Sequence, residues 1–211
     1  MIQRRADGRG LLNVYVPLGY PTLAASEELA ATALEAGVDG LELGIPFSDP
    51  AADGPAIEAA TQQALAQGTT VADCLGVAKR LAQRFPDATL VAMTYANLAY
   101  RAGWEPFAAS LADAGIEGLI LPDVPMEEAG PVRAALAAHG LGWVPLVTPA
   151  TPADRMAQIT ATATGFLYVV GSTGITGQAG PGPLVEATVA RARQADVDAP
   201  LLVGFGISSP D

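Results

Sequence analysis

The feature that most constrains this chain is a regular alternation of short, uniformly apolar stretches with longer mixed ones. The apolar stretches are Leu11 to Val16, Val38 to Leu43, Ala88 to Thr94, Gly118 to Leu121, Gly142 to Val147, Phe166 to Val170 and Leu201 to Phe205. A strand with one wet face alternates apolar and polar residues, whereas a run that is apolar at nearly every position is covered on both faces, as in a parallel sheet flanked by helices. The stretches between them read as helices: Thr22 to Glu35, Pro55 to Gln67 with Val71 to Arg84, Trp104 to Ala114, Met126 to His139, Pro152 to Ala161 and Pro183 to Gln194. Thr22 suits an N-cap, Gly37 a helix end and Pro55 a first helical position.

Seven strands joined by six helical segments fit a single α/β domain over residues 1–211. The expected architecture is a (β/α)8 TIM barrel, incomplete here, with about seven strands present and the last βα unit missing, since such barrels typically run to about 250 residues. An open doubly wound sheet of seven strands is the alternative. An internal echo favours the barrel. Glu35-Ala36-Gly37-Val38-Asp39-Gly40-Leu41-Glu42-Leu43 matches Asp113-Ala114-Gly115-Ile116-Glu117-Gly118-Leu119-Ile120-Leu121 as helix end, glycine cap, turn and strand. Repeated βα units suit a closed barrel. Where one copy has Ile120 the other has Glu42, on the strand face opposite Leu41 and Leu43. With the leucines under the helices, Glu42 points into the barrel near its C-terminal mouth.

A carboxylate there loses water, and its pKa rises towards neutrality, where it can both give and take a proton. The alternative role is a buried structural carboxylate in a hydrogen-bond network. Gly44 and Pro46 then break the strand, and the following loop carries Asp49 and Asp53. Either acid could simply cap the helix at Pro55; Asp53, eleven residues after Glu42 and beside Gly54, is also placed to face one substrate with Glu42. Two glycine-rich loops, Gly171 to Gly180 and Gly204 to Ser208, follow the last two strands. Backbone N–H groups in late barrel loops are a usual seat for phosphate.

Other chemistries find few residues. Lys79, the only lysine, sits mid-helix; His139, the only histidine, lies at a helix end; Cys74, the only cysteine, allows no disulfide framework and suits a reducing cytoplasm. No spacing suggests a metal site. The net charge of −11 argues against nucleic acid or an anionic membrane as partner. No apolar run is long enough to span a bilayer, and the segment after Met1-Ile2-Gln3-Arg4-Arg5 is polar rather than a signal-peptide core. Carboxylate acid–base chemistry on a phosphorylated small molecule remains.

The stretch from Glu42 through Leu43-Gly44-Ile45-Pro46-Phe47-Ser48-Asp49-Pro50-Ala51-Ala52-Asp53-Gly54-Pro55 closely resembles the signature of the tryptophan synthase alpha subunit. Tyr95-Ala96-Asn97-Leu98, Asp123 to Glu128, Thr173 to Gly177 and Gly204 to Ser208 follow in that family's order, so the resemblance covers about Val14 to Asp211. It implies a (β/α)8 barrel that cleaves indole-3-glycerol phosphate to indole and glyceraldehyde 3-phosphate in the cytoplasm, with no cofactor of its own. It also implies a beta-subunit partner that carries pyridoxal phosphate, in an alpha2beta2 complex. By motif position, Glu42 is the proton-transfer residue and Asp53 holds the indole N–H. Tyr15, Tyr95, Tyr168, Thr176 and Phe205 surround the substrate, and Gly177 and Gly206 bind its phosphate. Asp49 and Pro125 face the partner.

There are departures. Gly171-Ser172 opens the late loop where many relatives have Ser and a larger residue, and Pro17 and Tyr20 stand where Thr and Asp are common. The family also continues for about 50 residues by the usual barrel size, including a Gly-Ser segment of the phosphate site. The expectation for 211 residues alone is therefore poor stability, self-association or inactivity, with unpaired edges on the first and seventh strands. The competing expectation to a lyase is a truncated chain that at most binds the beta subunit. A sugar-phosphate isomerase barrel fits less well, because Val16-Pro17 and Val147-Thr148 end strands where such enzymes place acids.

Overall fold

The computed structural model describes residues 10–171, 183–195 and 199–204. Its elements are β1 (Asn13–Pro17), α1 (Leu23–Glu35), β2 (Gly40–Gly44), α2 (Pro55–Ala66), α3 (Val71–Arg84), β3 (Thr89–Met93), α4 (Ala96–Ala102), α5 (Trp104–Asp113), β4 (Gly118–Ile120), a 3-10 turn (Met126–Glu128), α6 (Gly130–Ala138), β5 (Gly142–Trp143), β6 (Leu146–Val147), α7 (Ala153–Thr160), β7 (Leu167–Val170), α8 (Pro183–Gln194) and β8 (Leu201–Gly204).

Every described ladder is parallel, and the strands lie side by side in chain order: β1-β2-β3-β4-β5, then β6-β7-β8. A doubly wound sheet reverses its strand order at a switch point. None occurs among the described strands, which rules in favour of the barrel order over the open-sheet alternative. β5 and β6 are two parts of the single strand expected over Gly142 to Val147. Pro145 has no N–H to donate, so the ladder changes partner there. Leu119 pairs with Trp143 on one side of the break, and Leu146 pairs with Tyr168 on the other.

The sheet has two dry faces, as its composition demands. Leu41, Leu43, Leu90, Leu119 and Leu121 pack outward against Val77 and Leu81 of α3, Phe107 and Leu111 of α5, and Val132 and Leu136 of α6. Val91, Met93, Ile120, Val144, Phe166 and Tyr168 pack with one another inside. The echo is visible in this arrangement: Leu41 and Leu119 lie in the outer cluster, and Ile120 in the inner one. Glu42 pairs between Tyr15 and Val91, so it shares the inner face.

Thr22 accepts a hydrogen bond from the Ala25 N–H and caps α1, and Pro55 opens α2. Gly37 and Gly115 take φ of 97° and 77°, a region that glycine alone adopts without strain, and both turn a helix end towards a strand. Two expectations need correction. The helix expected over Met126 to His139 is a 3-10 turn followed by α6, because Pro131 sits at the start of a new helix. The two turns of α4 were not anticipated, since seven residues carry too little periodicity to register.

Candidate active site at the C-terminal ends of the strands

Glu42 is 4% exposed, in the middle of a strand whose five residues are all buried. Burial pushes its carboxyl up to about 7, against the opposing pull of a hydrogen bond with Tyr168. The acid is thus half ionised near neutrality because the barrel interior disfavours its charge and one hydroxyl partly offsets that penalty.

Two tyrosines flank it, each placed by a glycine. Tyr15 is level with Glu42 in the β1–β2 ladder, and Gly44 lies two residues further along β2. Tyr168 is level with Leu202, and Gly204 lies two residues further along β8. A Cβ at Gly44 would overlap the Tyr15 hydroxyl, and one at Gly204 would overlap the Tyr168 hydroxyl. Both rings therefore lean diagonally across the neighbouring strand into space that a side chain would otherwise fill. Burial is the largest cause that pushes both phenols up; the charges of Asp53 and Glu42 add for Tyr15, and that of Glu42 for Tyr168. Both remain neutral hydroxyls.

Asp53 is half-buried on the loop between β2 and α2. It does not cap α2, whose N-cap is Gly54 with no side-chain bond. Its carboxyl is pushed up by burial, held back by a hydrogen bond with Tyr95, and raised a little by Glu58. The Tyr95 hydroxyl also accepts from the Ala52 N–H at 3.1 Å. An oxygen that accepts from one group keeps its own proton to donate to another, so Tyr95 bridges Ala52 and Asp53. Phe47 stacks on its ring, with centroids 5.3 Å apart and planes at 24°. A cavity of about 670 Å³ opens beside this loop, lined by Ala51, Ala52, Asp123, Pro125, Leu146 and Val170 among others.

The family model for the tryptophan synthase alpha chain matches residues 1–211. The chain belongs to this family. It is 46% identical over 208 residues to the tryptophan synthase alpha chain of Chloroflexus aurantiacus, covering 98% of this chain and 77% of that one. The alpha chain of Rhizorhabdus wittichii is 45% identical over 209 residues, with 98% and 76% covered. Among solved structures, Mycobacterium tuberculosis tryptophan synthase superposes with a TM-score of 0.91 at 36% identity, covering 99% of this chain and 79% of that chain. The alpha subunit from Legionella pneumophila superposes with a TM-score of 0.88 at 34% identity, with 99% and 78% covered. The tryptophan synthase alpha family are carbon–carbon lyases of TIM-barrel fold, and their known role is the retro-aldol step of tryptophan biosynthesis.

Within this member of the tryptophan synthase alpha family, Glu42, Tyr15 and Tyr168 form one group, and Asp53 and Tyr95 a second. The charge of Asp53 reaches Tyr15 and so links the two. Asp49 lies apart: its carboxylate accepts from the Ser48 hydroxyl at 2.5 Å on an exposed turn. Pro125 is exposed at the start of the 3-10 turn. Thr176, Gly177, Phe205 and Gly206 lie outside the described residues. His139 caps the end of α6, and its Nε2 sits 2.8 Å from Glu105, so it is engaged at the surface as a helix-end residue. Cys74 is buried, its thiol pushed up to about 12 by burial and by Asp73. Sequence reasoning missed Phe47 and the two space-giving glycines. The spacing of Gly44 two residues beyond Glu42 was the available signal, because small residues on an inner barrel face make room for large neighbours.

Proposed function

We propose that Glu42 and Asp53 carry the cleavage of indole-3-glycerol phosphate to indole and glyceraldehyde 3-phosphate in this chain. Protonation of the indole ring carbon that bears the glycerol chain turns the ring into an electron acceptor. Loss of the proton from the adjacent hydroxyl forms the aldehyde carbonyl, and the electrons of the broken carbon–carbon bond return to the ring. One proton is delivered and one removed, so the step balances. Glu42 is the proton-transfer residue, and the observation that carries this reading is its burial on the inner face with a carboxyl balanced near 7. Tyr168 holds that carboxyl in place.

Asp53, held by Tyr95, accepts the indole N–H and balances the positive charge that develops on the ring nitrogen. Tyr15, Tyr95, Tyr168, Thr176 and Phe205 enclose the substrate, and the N–H groups of Gly177 and Gly206 take the phosphate. The chain works as one domain with no cofactor of its own, in the cytoplasm. Among the described residues no helix is long and apolar enough to cross a membrane. Its partner is a tryptophan synthase beta subunit carrying pyridoxal phosphate, met through the face that includes Asp49 and Pro125, in an alpha2beta2 complex.

Indole release from indole-3-glycerol phosphate, with and without added beta subunit, tests this reading. The unaltered chain is expected to release indole faster when the beta subunit is present, and Asp53→Asn is expected to lose most of that release. Full activity of Asp53→Asn would remove Asp53 from the mechanism.

A further inference from the structure

We infer that Asp123 is a positioning residue for the cleavage, acting on Asp53 through Tyr95; this rests on the role proposed above for Asp53. Tyr95 stands at the N-cap of α4 with extended backbone, and its side chain makes no cap bond. The first free N–H of that helix belongs to Ala96, and both oxygens of the Asp123 carboxylate accept from it, at 3.0 and 3.1 Å. Asp123 comes from the loop after β4, 27 residues further along the chain. It supplies the cap that Tyr95 cannot, because the tyrosine side chain points the other way, to Ala52 and Asp53. The result is a clamp with two ends. A carboxylate fixes the backbone one residue beyond Tyr95, and the Tyr95 hydroxyl fixes the loop that carries Asp53.

A capping carboxylate is usually local to the helix it caps. This one is recruited from another βα loop, and it lines the same cavity as Ala51 and Ala52. Its effect is directional: with the clamp loosened, Tyr95 donates less well to Asp53, and the Asp53 carboxyl holds its proton to higher pH. The groups facing Asp53 are Tyr95 at the end of β3, Glu58 on α2 and Tyr15 on β1, and Asp123 itself faces Tyr95. Of these, Tyr95 alone lowers the Asp53 pKa, by a hydrogen bond, so loss of that bond shifts it upward.

The test compares Asp123→Ala, Asp123→Asn, Tyr95→Phe and the double variant Asp123→Ala with Tyr95→Phe, each assayed with the beta subunit for indole release across pH. Asp123→Ala is expected to lower kcat/KM about tenfold and to move the acid limb of the profile up by about half a pH unit, a part of the shift of about one unit or more that full loss of a hydrogen bond to a carboxylate gives. Asp123→Asn keeps one acceptor oxygen and is expected to recover part of the loss. The double variant is expected to match Tyr95→Phe alone, because the two residues act in series. An unmoved acid limb, or losses that add in the double variant, would overturn the inference. Thermal unfolding of each variant separates a folding defect, which lowers the amount of active chain without moving the limb. Asp53→Asn run alongside keeps the two readings apart: full activity there defeats the role of Asp53, whereas an inactive Asp53→Asn with a silent Asp123→Ala defeats only the clamp.

Discussion

Tyr168 on β7 and Glu42 on β2 share a hydrogen bond, although β3, β4 and the β5–β6 stretch separate them in the strand order. Such a bond forms only where the sheet curves enough to bring its inner face back on itself. It also ties the proton-transfer acid to the strand that leads into the late loop.

Removing that bond has a directional consequence. In Tyr168→Phe, burial of Glu42 is no longer opposed by a donated hydrogen bond, so its carboxyl rises above the present value of about 7. The ionisation seen in the pH dependence of cleavage should move up by about half to one unit. Infrared titration of the buried carboxyl would follow the same group directly.

The raised pKa of Glu42 also sets a stability dependence. Its folded value is about 7 against an ordinary 4.5, so the folded chain binds this proton more tightly than the unfolded chain does. Below the ordinary value both states are protonated and the group is neutral towards stability. As pH rises through 4.5 the unfolded chain ionises first, and the penalty grows until the folded group ionises near 7, after which it is constant. Glu42→Gln is therefore expected to raise the unfolding free energy at pH 8 by about 3 kcal/mol and to leave it almost unchanged near pH 4. Urea unfolding at the two pH values checks this.

Gly44→Ala places a methyl group on the Tyr15 hydroxyl. The overlap is expected to destabilise the chain by about 1–3 kcal/mol, the usual range for overpacking, and to reduce cleavage by displacing Tyr15 from Glu42. Pairing it with Tyr15→Val should restore much of the stability but not the activity. Unfolding midpoints and indole release, measured on the single and paired variants, distinguish the two effects.

Thr70 and Asp73 form a reciprocal cap at the start of α3, with the Asp73 N–H donating to Thr70 at 3.2 Å and the Thr70 N–H donating to Asp73 at 2.9 Å. Thr70→Ala should lower stability by about 1 kcal/mol and leave the pH profile of cleavage unmoved. It serves as a measure of what a purely structural cap contributes.

Much of this was legible in the sequence because the signals were local or repeated. Uniformly apolar strands gave the parallel sheet, and the substitution of Glu42 for the Ile120 of the echo placed a carboxylate on the inner face. The bounds expected for α3 and α8, Val71 to Arg84 and Pro183 to Gln194, agree with those observed. What stayed hidden depends on partners distant in sequence. The cap of α4 comes from Asp123, the brace of the Asp53 loop from Tyr95, and the positions of Tyr15 and Tyr168 from glycines on neighbouring strands. No window of sequence contains both members of such a pair. The break at Pro145 was readable in principle, since a proline within an apparent central strand argues against its continuity.

The role proposed for Glu42, moving the proton in carbon–carbon bond cleavage, is tested most directly by the rate of indole release by Glu42→Gln. Glutamine keeps the size and removes the acid, and the variant is expected to be more stable than the original at pH 8, so a lost rate there would not reflect unfolding. The expected result is a fall of about 10²–10⁴ in kcat with the fold intact. A Glu42→Gln chain that cleaved indole-3-glycerol phosphate within about twofold of the original rate, well short of the general acid–base contribution, would contradict it.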